Sequence, residues 1–248
     1  VTTVFSDTFQ LLPREELSRR RGRLLARIQR YYDTAEEIFV IGPMRVNFTR
    51  VRNPDVVLDE ICGREDRREQ GGEDRRTGND LHLPYWAELW DSSIGLGHFL
   101  VRREARNQRV LDLGCGMGLA GTVAAAMGHA VLLADLESPA LLFARLNTLP
   151  FNTRTRTRQL NWQRDRLGET FDLILGADVV YEREQWQYLE PFWQAHLAEA
   201  GSVLLAEPGR QTGDLFAEWI TQRGWTLSRH EQVIPLRERP IRLFELSR

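Results

Sequence analysis

Four positions along this chain end an apolar run in polar residues suited to holding a ligand. The first is Asp112, followed by Gly114, Gly116 and Gly118 at alternate positions after Arg109-Val110-Leu111. Alternate glycines let the main chain turn with positive φ and let a ligand lie against bare backbone, while the following helix offers unpaired N–H groups. A strand, glycine loop and helix in that order form a nucleotide-cofactor pocket. A dinucleotide fingerprint requires its third glycine at position 119, which is Leu119 here, so the spacing departs from that pattern. The second position is Asp135, a carboxylate able to accept hydrogen bonds from both hydroxyls of a ribose. The third is Asn161-Trp162, an amide able to pair with a purine edge beside an aromatic face. The fourth is Asp178 with Tyr181 three residues on, a carboxylate and a phenol that can orient an amine and stabilise charge forming on nitrogen. A single strand-end acid is often only a helix cap. Four in succession describe a site.

The elements that must position these residues alternate. Strand patterns over 110–113, 130–134, 157–160, 171–177 and 202–206 are interleaved with helical patterns over 119–127, 137–149, 185–200 and 212–223, and two closing strands fall at 225–233 and 241–246. Such alternation predicts an α/β fold, a mostly parallel sheet with helices on both faces, and the close final pair predicts an antiparallel edge. In such sheets ligands bind at the carboxyl ends of the strands, where all four polar positions lie. Ahead of this unit, residues 13–37 read as a helix with an apolar stripe of Leu17, Leu24, Leu25, Ile28 and Tyr31. Seven arginines against three acids over residues 1–30 make it locally basic, read as a solvated face or a contact for an acidic partner. Residues 39–41 and 45–48 read as strands around a Gly42-Pro43 turn, and 55–61 as a further short strand-like piece. Residues 63–80 carry charges and glycines, with Cys62 the last apolar residue before them, and are expected to form a mobile loop. Residues 83–93, with Tyr85, Trp86 and Trp90, lead into a helix through about residue 103.

The glycine loop with its preceding acid resembles motif I of the class I S-adenosylmethionine (SAM)-dependent methyltransferases. Pro84-Tyr85-Trp86-Ala87-Glu88-Leu89-Trp90-Asp91-Ser92-Ser93, the glycine loop, Asn161-Trp162 and Asp178-Val179-Val180-Tyr181 resemble the successive motifs of the family-16 seven-strand methyltransferases, which include many protein-lysine methyltransferases. The resemblance runs from about residue 38 to the C-terminus. It implies a Rossmann-like seven-stranded sheet, with residues 1–80 an N-terminal extension and 81–248 the methyltransferase domain. It also implies that SAM is the cofactor and S-adenosylhomocysteine the product. Trp90 would contact the cofactor, with Asp112, Gly114, Gly116 and Gly118 at its methionine end, Asp135 at its ribose, and Asn161 and Trp162 at its adenine. Asp178 and Tyr181 would be catalytic and face a lysine amine of a protein substrate, with Asp178 also near the cofactor. Glu207-Pro208-Gly209-Arg210 would border the acceptor pocket. A small-molecule acceptor, nicotinamide-like or another amine or hydroxyl, is the alternative, and a non-catalytic SAM-binding protein a third. A nucleic-acid amino-methyltransferase is expected to carry Asp/Asn-Pro-Pro-Tyr where this chain has Asp178-Val179-Val180-Tyr181.

Composition narrows the rest. A net charge of -2 gives no drive towards nucleic acid or membrane, and no apolar run is long enough to span a bilayer. Cys62 and Cys115 make no disulfide framework, and no signal-peptide layout opens the sequence, so a cytoplasmic protein is expected. His82, His98, His129, His196 and His230 are scattered, so no metal site is expected. All 33 basic residues are arginine. Codon bias explains that, as does an enzyme that modifies lysines and avoids its own.

Overall fold

A computed structural model describes residues 11–70, 83–103, 107–151, 154–235 and 237–248. Nine strands and seven α-helices are present among them. Helix α1 (Arg14–Ile28) leads into a hairpin of β1 (Thr34–Ile41) and β2 (Met44–Val51), followed by α2 (Pro54–Gln70). After a 3₁₀ turn at Tyr85–Ala87 and α3 (Asp91–Leu100), the chain alternates through β3 (Arg109–Leu113), α4 (Leu119–Ala126), β4 (Ala130–Asp135), α5 (Ser138–Thr148) and β5 (Arg156–Gln159). It continues through β6 (Phe171–Ala177), α6 (Arg183–His196), β7 (Leu197–Glu207), α7 (Gln211–Thr221), β8 (Thr226–Gln232) and β9 (Ile241–Ser247).

The main sheet runs β5-β4-β3-β6-β7-β9-β8, with the first five strands parallel and β9 antiparallel to both β7 and β8. This is the expected seven-stranded arrangement with its antiparallel edge pair. Strand residues divide strictly between the two faces. Val110, Val131, Leu133, Leu204 and Ala206 join one buried cluster with α4 and α5, while Leu111, Leu132, Ala134, Val203 and Leu205 join another with α6 and α7. Strands buried on both faces are apolar without interruption, which is why they stood out in the sequence. Asp112 interrupts β3, and alternation points it to the α4 side.

Several boundaries differ from the sequence reading. Residues 34–37 belong to β1 rather than to a helix over 13–37, because Thr34–Ile41 pairs in unbroken register with Met44–Val51. Tyr31, in the turn after α1, is 73% exposed and leaves the apolar stripe. Residues 55–61 are the start of a helix, not a strand. Pro54 occupies its first position, and Asn53 Oδ1 accepts the Asp55 N–H at 3.1 Å. A short apolar run has no periodicity of its own to tell the two apart. The same helix absorbs residues 63–70 of the expected mobile loop; 71–80 lie outside the described residues, as does His82. Finally, α6 ends at His196 rather than 200, since Leu197 pairs with Phe171 before a register shift brings Ser202 opposite Leu173. Helix α3 stops at Leu100, and single turns carry the chain to Arg103.

The N-terminal hairpin is fastened to the main unit by a residue the sequence did not single out. Asn147, fully buried on α5, accepts the Thr49 N–H at 2.8 Å and donates to the carbonyls of Thr49 and Met117, both at 3.0 Å. One side chain thereby joins β2, α5 and the glycine loop.

Candidate active site

The glycine loop follows β3 with Gly114, Gly116 and Gly118 at φ of 66°, 52° and 85°, a left-handed conformation that side chains resist. Gly114 has a second constraint: a Cβ there would lie 2.9 Å from Val179 and 3.5 Å from the Trp162 ring. Gly118 faces inward instead, where a Cβ would meet Ala144 at 2.8 Å and Leu133 at 2.9 Å. It lets α4 pack closely and does not face the crevice.

Backbone contacts then gather the neighbouring strand ends. Asp135 accepts the Gly116 N–H at 2.8 Å through Oδ2 and the Glu137 N–H at 2.9 Å through Oδ1. The Leu160 N–H donates to the Asp135 carbonyl at 2.9 Å, which sets Asn161 beside it. Asn161 Oδ1 accepts the Gln163 N–H at 2.9 Å, and Asp165 accepts the Asn161 N–H at 2.7 Å. Trp162 donates to Gln185 at 3.0 Å while its ring edge rests near Gly114. Gly114, Gly116, Asp135, Asn161 and Trp162 are thus brought together, with a floor of backbone, a carboxylate and an indole face. Asp165 and Gln185, which orient them, lie outside any motif and carried no sequence signal.

Asp112 lies beneath this group and is not open to it. It is buried, and its Oδ2 accepts the Gly121 N–H of α4 at 2.8 Å. Desolvation, opposed by that hydrogen bond, pushes its carboxyl up to about 7, and burial pushes Asp135 up to about 6. Burial, with these two acids close by, also raises the Cys115 thiol.

At the end of β6 lies a cavity of about 340 Å³ lined by Trp90, Ser92, Asp178, Arg210 and Arg237 among others. Asp178 is the single non-glycine residue with positive φ among the described residues, at 58°. Its N–H donates to the Ala206 carbonyl at 2.8 Å, locking the turn after β6. Such a conformation in a non-glycine residue costs roughly 1–3 kcal/mol and concentrates at functional positions. One carboxylate oxygen, Oδ1, accepts from Arg210; the other is buried without a partner among the described residues, as is Ser92 Oγ. Desolvation raises the Asp178 carboxyl, Arg210 works against that, Glu207 adds to it and Arg237 opposes it.

Tyr181 stands 5.9 Å ring to ring from Tyr85, which stands 6.1 Å from Trp90, whose Nε1 donates to the Tyr85 carbonyl at 3.0 Å. Burial, with Glu182, Tyr85 and Asp178 nearby, pushes the Tyr181 phenol up to about 12, so it stays protonated at neutral pH. Of Glu207-Pro208-Gly209-Arg210, Pro208 and Arg210 line the cavity. Glu207 instead braces the turn, accepting the N–H groups of Gly209 and Arg210 at 2.8 Å and pairing with Arg242. Arg237, which no motif flagged, donates to Asp91 at 2.8 Å and to the Pro208 carbonyl at 2.9 Å.

The lysine methyltransferase family model matches residues 80–222, more than half of the chain and every one of these strand ends from Trp90 to Arg210. The chain belongs to the lysine methyltransferase family. Over 129 residues it is 36% identical to protein N-lysine methyltransferase METTL21A of Xenopus tropicalis, covering 48% of this chain and 58% of that protein. Over 132 residues it is 35% identical to the electron transfer flavoprotein beta subunit lysine methyltransferase of Xenopus laevis, covering 51% and 53% respectively. The chain thus spans a little over half the length of the curated relatives it matches.

Among solved structures, the ribosomal protein L11 methylase of Lactobacillus delbrueckii subsp. bulgaricus superposes with a TM-score of 0.54 at 18% identity, covering 65% of this chain and 80% of that one. The magnesium protoporphyrin IX methyltransferase of Synechocystis PCC 6803 gives 0.53 at 16% identity, covering 79% and 96%. These likenesses show the class I methyltransferase fold.

Among the described residues of this family member, no cluster of three metal-ligating side chains occurs, and no helix is long and apolar enough to cross a membrane. Cys62 and Cys115 are free thiols.

Proposed function

We propose that this protein is a SAM-dependent protein-lysine N-methyltransferase. The observation that carries the reading is Asp178, a cavity-lining carboxylate held in a left-handed turn, with one oxygen buried and unpaired among the described residues, and followed by Val179, which packs against Gly114. The relatives that carry the name lysine methyltransferase support a protein acceptor.

SAM, when bound, supplies a methyl group on a positively charged sulfur. Gly114 and Gly116 would hold its methionine end against bare backbone, with Asp112 and Gly118 setting α4 beneath them and Trp90 closing the side. The Asp135 carboxylate would accept from the ribose hydroxyls, and Asn161 and Trp162 would hold the adenine. The fit rests on the left-handed loop, on the Trp162 ring edge beside Gly114, and on carboxylate lone pairs of Asp135 beyond its two backbone partners.

An amine attacks only as the free base, so a lysine ammonium that docks beside Asp178 must first lose its proton to solvent, and its nitrogen then takes the methyl as the thioether product leaves. Asp178 would orient the amine and stabilise the charge that develops on nitrogen. Tyr181, a phenol rather than a phenolate, would accept or donate a hydrogen bond at the rim without acting as the base. A pair of free thiols is consistent with a cytoplasmic setting, the compartment we assign.

Incubation with methyl-labelled SAM and a lysate of the source organism tests this. A labelled protein band that disappears with Asp178→Ala is expected. Label confined to the small-molecule fraction would overturn the lysine reading in favour of a small acceptor.

A further inference from the structure

A guanidinium already sits on the anionic side of the cavity. Arg210 donates to Oδ1 of Asp178, and its Cζ lies 5.8 Å from the centroid of the Trp90 ring. A carboxylate and an aromatic face together form a seat for any cation, an ammonium as readily as a guanidinium. The Arg210 main chain is held on both sides of its Cα, its N–H on Glu207 at 2.8 Å and its carbonyl on Arg242 at 2.6 Å. Only the side chain is able to yield the seat.

The displaced guanidinium has no ready partner within the protein. Both oxygens of Glu207 are engaged, one by Arg242 and the other by two backbone N–H groups. Asp91 is held by Arg237, whose own positive charge lines the same cavity. Glu88 is on the wall too but exposed to solvent, where an ion pair contributes little. An isolated alkylammonium entering beside Asp178 would therefore leave the Arg210 guanidinium, 38% exposed, with water alone as its partner beside the positive charge of Arg237.

We propose that Arg210 sets the acceptor specificity of this site: it yields the seat between Asp178 and Trp90 to an amine whose own molecule brings a carboxylate to the freed guanidinium, such as a lysine flanked by glutamate or aspartate. This rests on the reading of Asp178 as the acceptor-side carboxylate, and it names the class of lysine that the site takes.

The test uses two acetylated and amidated pentapeptides, Gly-Glu-Lys-Glu-Gly and Gly-Gln-Lys-Gln-Gly, titrated calorimetrically into the full chain with S-adenosylhomocysteine present. The wild type is expected to bind the acidic peptide about tenfold more tightly than the neutral one. Arg210→Gln brings the two within about twofold of each other by tightening the neutral peptide, and Arg210→Lys keeps the acidic preference because it keeps the charge. Equal affinities in the wild type, no measurable binding of the acidic peptide at millimolar concentration, or an acidic preference that survives Arg210→Gln would each overturn the assignment. The wild-type comparison stands even if a variant fails to fold. Methyl transfer to the same peptides separates the two ideas. A binding preference that depends on Arg210, with label from the lysate confined to the small-molecule fraction, sinks lysine methylation and leaves the assignment standing, whereas equal transfer to both peptides by the wild type sinks the assignment alone.

Discussion

On the glycine-loop side of the crevice, the polar groups are supplied by residues close to strand ends and are already satisfied by backbone. Gly116 reaches Asp135, Asn161 closes its own turn with Gln163, and Asp112 is tied to Gly121. On the Asp178 side the groups come from four distant stretches, around residues 90, 178, 210 and 237, and include buried oxygens on Asp178 and Ser92 without partners among the described residues. The first side is a preformed cradle whose shape is set by local turns. The second is a charged cavity whose balance depends on long-range ion pairs, Arg210 on Asp178 and Arg237 on Asp91. Binding of one invariant ligand favours preformed backbone; discrimination among acceptors favours exchangeable charges.

The contrast can be broken at either side, and the largest effect is expected at Asp178. Asp178→Ala should lower methyl transfer about a thousandfold or more while leaving SAM affinity within a few-fold. Loss of SAM binding in that variant would show that the two sides are not separable. Asn147→Ala attacks the support of the glycine loop instead. It strands the Thr49 N–H and two carbonyls, so chemical denaturation should report a loss of about 3 kcal/mol; an unchanged midpoint would mean the hairpin is not anchored through this residue.

Acidity distinguishes the sides next. The folded-state values of Asp112 and Asp135, about 7 and about 6, lie above the unfolded carboxylate value of 3.8. The folded protein therefore keeps protons that the unfolded chain releases, and stability is lost as pH rises from about 4 to 7. Melts of the ligand-free protein should show Tm falling across that window, and Asp112→Asn, which keeps an acceptor for Gly121, should remove roughly 3 kcal/mol of the loss in stability. A wild-type Tm that rises over the same range would contradict the burial of these acids. The smallest effect is expected for Asp135→Ala. SAM affinity, measured by calorimetry, should drop about tenfold with binding of the acidic peptide unchanged. A drop in both would join the two sides after all.

The order of the strands was legible because a parallel sheet covered on both faces leaves unbroken apolar runs such as 131–134 and 173–177, closed by Asp135 and Asp178. The glycine loop was legible because its backbone conformation admits few other residues at Gly114 and Gly116. Residues 54–70 were not, since a short apolar run has no period, and a helix was decided by Pro54 and Asn53 at its start. Nor was the end of α6, which the bulge opposite Phe171 fixes. Gly118 and Asp112 were legible as motif members but not in their roles, because only the packing of α4 on Leu133 and Ala144 shows that they face inward.

By itself, the sequence determined the sheet, its order of helices and strands, and the four polar strand ends, because each is a local pattern of burial, turn and cap. Tertiary structure alone decided what those ends meet. Arg210 and Arg237 carry no signature that sets them apart among 33 arginines. Their place in the cavity follows from a turn braced by Glu207 and from a connection between β8 and β9 that returns to Asp91. Charge pairing across 32 and 146 residues depends on where the folded chain brings its ends, which no local pattern encodes.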